Sequence, residues 1–133
     1  MSAPDKDLVV VVDDDPAILR SLDRLLRQFG YRSLLFSSAE AFAEHRDFKS
    51  VLCVILDINL GDGSGIEQRQ RLRNENVEVP VIYVTGNDNR SVREAALRSG
   101  CLTYLTKPFS AELLRDLLEK ASGPIPRKSR LGA

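Results

Sequence analysis

Three short runs of β-branched and aliphatic residues, Leu8 to Val12, Val51 to Leu56 and Val79 to Val84, show no alternation of polar and apolar positions. A strand with one wet face alternates with period two, so runs like these fit strands covered on both faces. That is the situation of a parallel sheet between two layers of helices. Weaker strand patterns lie at Arg32 to Phe36 and Leu102 to Leu105.

The segments between these runs have helical period. From Pro16 to Phe29, Ile18, Leu22, Leu25, Leu26 and Phe29 form one stripe, with Pro16 in the first turn and Gly30 just past the end. Ser110 opens a capped helix carrying Leu113, Leu114, Leu117, Leu118 and Ala121. Shorter helices are expected at Ala39 to Arg46, Gly65 to Asn74 and Arg90 to Ser99. The one at Gly65 to Asn74 should pack least deeply, because Ile66 and Leu72 are its few apolar positions. Strand then helix, five times over, predicts an α/β domain with a doubly wound parallel sheet and five flanking helices. Residues 1–122 read as this one domain, and 123–133 as a flexible tail or the start of a linker.

Composition narrows the chemistry. With 19 basic and 19 acidic residues the formal charge is zero, and the one basic cluster is Arg127, Lys128 and Arg130, so no nucleic-acid footprint is expected on the folded part. No apolar run approaches the roughly 20 residues that span a bilayer, and no signal-peptide pattern is present, so a cytoplasmic location is expected. Cys53 and Cys101 lack metal-ligand or redox spacing and read as buried thiols. His45, the single histidine, falls in a polar stretch and reads as an exposed surface residue.

In open sheets of this kind ligands bind beyond the carboxyl ends of the strands. Asp13, Asp14 and Asp15 follow the first strand, Asp57 the third, Thr85-Gly86 the fourth and Thr106-Lys107-Pro108 the fifth. Singly, each has an ordinary explanation as a cap, a strand residue or an exposed lysine. Together they bring several carboxylates to one edge, where mutual repulsion is relieved by a bound cation. Oxygen ligands suit a hard divalent ion, and Mg²⁺ in particular combines one or two carboxylates with waters and phosphate oxygens. Lys107 offers a point charge and Thr85 a hydroxyl donor to a phosphoryl group. An aspartate can accept that group as an acyl phosphate, and Asp57, ending the central run, is the best-placed nucleophile.

These residues resemble the receiver domain of two-component response regulators. The match covers about Leu8 to Ala121: Asp13-Asp14 as the acidic pair, Asp57 as the phosphoacceptor, Thr85 as the hydroxyl, Lys107 followed by a cis-proline at Pro108, and Tyr104 as the switch aromatic. The resemblance implies a flavodoxin-like strand order 2-1-3-4-5. It implies Mg²⁺ held by Asp14, Asp57 and the backbone carbonyl of Asn59, with Asp13 acting through water. Asn59 and Asn87 fall at the two variable positions that modulate phosphoryl lifetime. The loop Leu60 to Gly65 departs from the family by lacking a proline, and its glycines suggest mobility beside the site.

Phosphorylation would add about 1.5 to 2 negative charges at Asp57. By resemblance, Thr85 then moves toward the phosphoryl group, Tyr104 turns inward, and the face of the fourth helix, fifth strand and fifth helix is remodelled, including Arg90, Arg93, Glu94, Arg98, Arg115, Asp116 and Glu119. The implied donor is a sensor histidine kinase or a histidine phosphotransfer protein, docking near Ala17, Ile18 and Leu19. Downstream lies a protein target, an output domain outside this chain, or a second copy in a phosphorylation-dependent homodimer. The expectation is of no enzyme beyond the chain's own phosphorylation and dephosphorylation.

Rival readings exist. A haloacid-dehalogenase-type phosphatase also uses an aspartate nucleophile, but wants a carboxylate where Asn59 stands. A flavodoxin-like nucleotide or flavin carrier would need a phosphate loop where Asp13-Asp14-Asp15 repel the anion. A receiver-like interaction module that works without phosphorylation would have lost an acidic residue or the lysine, and none is lost.

Overall fold

In the computed structural model, which describes residues 6–100 and 103–122, the buried runs become the centre of one sheet. The elements in chain order are β1 (Leu8–Val12), α1 (Pro16–Gln28), β2 (Arg32–Phe36), α2 (Ala39–Ala43), β3 (Val51–Asp57), β4 (Asn59–Leu60), β5 (Gly63–Ser64), α3 (Gly65–Asn74), β6 (Val81–Thr85), α4 (Arg90–Arg98), β7 (Thr103–Thr106) and α5 (Ala111–Ala121). The described residues form a five-stranded parallel sheet in the order β2-β1-β3-β6-β7. This is the expected 2-1-3-4-5 arrangement, with β6 and β7 as fourth and fifth strands.

Successive side chains of a strand point to opposite faces, which divides the core into two layers. Val10, Val12, Val54, Leu56 and Tyr83 pack with Phe42, Leu72 and Ala96 from α2, α3 and α4. Val9, Val11, Cys53, Ile55, Ile82 and Val84 pack with Leu22 and Leu26 of α1 and Leu114 and Leu118 of α5. Every residue of β3 is buried, so this strand has no wet side, as its lack of alternation predicts. Cys53 is a free thiol, and burial pushes its pKa up to about 12. Cys101 and the expected tail lie outside the described residues.

The helices begin where side chains replace missing amide partners. Asp15, Ser38, Ser64, Asn89 and Ser110 each accept from an amide of the helix that follows. Gly30, at φ 92°, ends α1 in a conformation that disfavours side chains.

Four departures from the sequence reading have physical causes. First, α2 stops at Ala43 rather than Arg46, because Glu44 to Asp47 offer no apolar period to hold a further turn. Second, His45 is half-buried rather than fully exposed, its ring 5.5 Å from Phe36 and 5.2 Å from Phe48. Third, β6 starts at Val81, since Pro80 has no amide to donate to the ladder. Fourth, the Gly-rich loop closes into a small antiparallel ribbon, with Asn59 opposite Ser64 and Leu60 opposite Gly63. The shallowest packing, expected of α3, belongs instead to α4. Leu72 of α3 is fully buried, whereas α4 buries Ala96 and leaves Leu97 59% exposed.

Candidate functional site

The parallel register brings the strand ends level. Val12 pairs with Leu56, Asp57 with Val84, and Thr85 with Thr106, so the residues at and just beyond these positions share one edge. Asp13 is 2% and Asp57 5% exposed, while Asp14 faces solvent. One carboxylate oxygen from each of the three lies within 4.8 Å of the others. Asp15, counted with them in the sequence, instead caps α1 by accepting from the Ala17 amide at 2.9 Å.

Each carboxylate of the cluster is held by a backbone amide. Asp13 accepts from Asp15 N at 2.9 Å, Asp57 from Asn59 N at 2.9 Å, and Asp14 from Gly61 N at 3.0 Å. Lys107 Nζ donates to Asp13 at 2.8 Å and to Asp57 at 3.1 Å. Burial raises the Asp57 pKa above the ordinary carboxylate range, and the Asp13 charge adds to this; the Asn59 amide and Lys107 pull the other way. For Lys107, burial works against the charged form, but the two carboxylates outweigh it and hold the pKa above its ordinary value. Three carboxylates and one ammonium leave net negative charge in a partly desolvated pocket. Such a donor set, all oxygen, can hold a hard metal cation.

Thr85 is fully buried. Its hydroxyl accepts from the Asn59 side-chain amide at 3.1 Å and from Asn87 N at 3.0 Å, and its carbonyl accepts from Lys107 N at 2.8 Å. Both variable-position asparagines therefore touch Thr85, Asn59 through its side chain and Asn87 through its backbone. The Lys107–Pro108 bond is cis.

Tyr104 points outward. Its hydroxyl donates to Asp88 at 2.9 Å, Asp88 pairs with Arg93 at 2.6 Å, and the Arg93 guanidinium lies 5.8 Å from the ring centre. Burial and then the Asp88 carboxylate raise the Tyr104 pKa. Beside the ring, a cleft of about 660 Å³ runs between α4, β7 and α5, with Leu97 and Leu113 on its walls. Of the charged residues expected on this face, Arg93 lines the cleft, and Arg90, Glu94, Arg98, Asp116 and Glu119 are exposed. Arg115 is exposed as well, and its guanidinium lies over Phe29 of the α1 end. At the start of α1, Ala17 is exposed and Ile18 half-buried, but Leu19 belongs to the core and is not available to a partner.

Sequence reasoning missed three contributors. Asp88 holds both Tyr104 and Arg93. Gly65 lets α3 begin against the end of β3, where a Cβ would overlap the Asp57 carbonyl oxygen. Asp62 accepts from Ala39 N at 2.9 Å and Glu40 N at 3.0 Å, fastening the loop expected to be mobile. The two-residue Gly61-Asp62 connection is itself a hairpin signal.

Comparison with known proteins agrees with this geometry. The profile of the response regulator receiver domain matches residues 9–119. The response regulator protein TmoT of Ectopseudomonas mendocina is 30% identical over 92% of this chain and 56% of its own. The transcriptional regulatory protein FixJ of Bradyrhizobium diazoefficiens is 31% identical over 87% of this chain and 57% of its own. The chain thus spans about half the length of these curated relatives. Among solved structures, a CheY-like receiver domain protein from Methanospirillum hungatei superposes with a TM-score of 0.76 at 28% identity, covering 86% of this chain and 93% of that one. Sequence profile, fold and the arrangement of strand-end residues agree that this chain belongs to the response regulator receiver domain family of two-component systems.

Proposed function

We propose that the chain accepts a phosphoryl group on Asp57 from a phosphohistidine donor, with Mg²⁺, and signals by rearranging the face of α4, β7 and α5. The observation that carries this reading is the position of Lys107, bound at once to Asp13 and Asp57 inside the acidic cluster. Held by both carboxylates, its ammonium stands beside the Asp57 oxygen, where a phosphoryl group on that residue would need positive charge.

Asp14, Asp57 and the Asn59 carbonyl are the direct ligands in this reading, with Asp13 acting through water. Bound Mg²⁺ supplies positive charge to the carboxylates and to the phosphoryl oxygens. An Asp57 oxygen forms the bond to phosphorus as the phosphorus–nitrogen bond of the donor breaks, its electron pair leaving with the imidazole. The Asn59 amide fixes one Asp57 oxygen, and Lys107 holds charge beside the other. The Thr85 hydroxyl, which accepts two N–H bonds, keeps its own proton for a phosphoryl oxygen. Its displacement toward that oxygen opens the space into which Tyr104 turns from Asp88. Water later hydrolyses the acyl phosphate, so the chain turns over no substrate but itself.

The donor is a sensor histidine kinase or histidine phosphotransfer protein, and the recipient of the signal a protein target, an output domain or a second copy. Among the described residues no helix is long and apolar enough to cross a membrane, and we place the domain, residues 1–122, in the cytoplasm. Intact-mass measurement after incubation with acetyl phosphate tests the chemistry. A single phosphoryl adduct that requires Mg²⁺ and disappears in Asp57→Asn is expected. An adduct that survives this substitution refutes the assignment of Asp57.

A further inference from the structure

The exposed member of the acidic cluster, Asp14, is held differently from its neighbours. Asp13 and Asp57 are buried and share Lys107. Asp14 has one hydrogen bond among the described residues, from Gly61 N at 3.0 Å. A charged side chain on the surface with no other restraint samples several rotamers, so the position of Gly61 decides where this carboxylate stands.

Gly61 is in turn placed by a closed strap. The β4–β5 ribbon pairs Leu60 with Gly63 and Asn59 with Ser64, so Gly61 and Asp62 form its tip. The base of the strap is anchored at both ends: Asp57 accepts from Asn59 N, and Ser64 accepts from Ile66 N as the cap of α3. The tip is anchored by Asp62, whose two carboxylate oxygens accept from Ala39 N and Glu40 N at the start of α2. These two amide bonds hold the Asp62 pKa below the ordinary carboxylate range. The clearance is small, for a Cβ on Gly61 would lie 3.1 Å from the Asp14 oxygen.

We infer that Asp62 is a positioning residue for the cation site, acting through Gly61 on Asp14. By docking the strap on α2 it holds the Gly61 N–H against one Asp14 oxygen and leaves the other directed to a cation. The N–H also offsets part of the repulsion among the three carboxylates. The inference rests on the reading that Asp13, Asp14 and Asp57 hold a divalent cation. Linkage makes the effect reciprocal: a cation that fixes Asp14 also tightens the strap on α2.

Calorimetric titration of the phosphate-free protein with Mg²⁺, repeated on three variants, tests this. Partners that orient a metal ligand change affinity by about tenfold or more when removed. Asp62→Ala is expected to weaken Mg²⁺ binding about tenfold, and Asp62→Asn, which keeps one acceptor oxygen for the two amides, to weaken it less. Ser38→Ala removes the other α2 cap, the bond from Ala41 N at 3.0 Å, without touching the strap; it should bind Mg²⁺ like the wild type. In the wild type, Mg²⁺ should slow hydrogen exchange at the Ala39 and Glu40 amides, and in Asp62→Ala it should not. Wild-type affinity in Asp62→Ala, or an equal loss in Ser38→Ala, overturns the strap while leaving the cation site intact. A wild type that binds no Mg²⁺ overturns both.

Discussion

Asp57 is ionisable, buried and set at the end of a strand with no wet face, a costly place for a charge. Its pKa is raised, first by burial, so between the unfolded and folded values the native state holds more protons than the unfolded one. Stability therefore falls as pH rises through that window and levels off above it. Without divalent cation, Asp57→Asn should be more stable than the wild type at pH 7, the difference shrinking to nothing below pH 4. Thermal melts at a series of pH values check the sign. Lys107→Met should act oppositely, since it leaves Asp13 and Asp57 buried without their shared cation, at a cost of about 3–5 kcal/mol. Legibility differed sharply among single residues. Asp13, Asp57 and Thr85 were readable because each stands at the end of a strand whose buried run is unmistakable, and Lys107 because it follows a weaker strand in the same alternating order. Asp88 was not, because its task is defined by Tyr104 and Arg93, neither of which it adjoins in sequence.

Elements were legible where one period dominated. The stripe of α1 and the unbroken apolar run of β3 each allow one placement, and both formed within a residue of expectation. Short elements were harder: α2 ends where Glu44 to Asp47 break the apolar period, and β4 and β5 exist only through each other. The junction of β3 with α3 has the tightest tolerance in the site. Gly65 donates to the Ile58 carbonyl at 3.0 Å and leaves no room for a methyl group beside the Asp57 carbonyl. Gly65→Ala should cost about 1–3 kcal/mol, the usual range for overpacking. On the proposed function it should also slow phosphoryl acceptance, because relief of the clash moves the Asp57 backbone. Urea denaturation showing a lower midpoint at unchanged slope would register the first effect, and adduct formation over time the second.

At the scale of the whole molecule, a cation held among Asp13, Asp14 and Asp57 would stabilise the fold. A ligand that binds only the native state at a hundred times its dissociation constant adds about 2.7 kcal/mol. For a domain of this size that corresponds to a melting temperature roughly 8–10 °C higher. Differential scanning calorimetry with and without Mg²⁺ should show such a rise in the wild type and a much smaller one in Asp14→Ala. The topology was legible because five alternations of strand and helix admit few right-handed windings. Which residues cover which was not, since α4 and α5 pack on opposite layers of the sheet although both flank the edge strand β7.

The ion pair between Asp13 and Lys107 joins residues separated by 94 positions. A ribosome delivers Asp13, Asp14 and Asp57 long before β7, and until then the carboxylates have no lysine between them. An emerging or truncated chain thus carries the buried carboxylates but not the ammonium that offsets their charge. The cluster is complete only once β7 has docked, so its charge balance forms together with the sheet edge that carries Lys107.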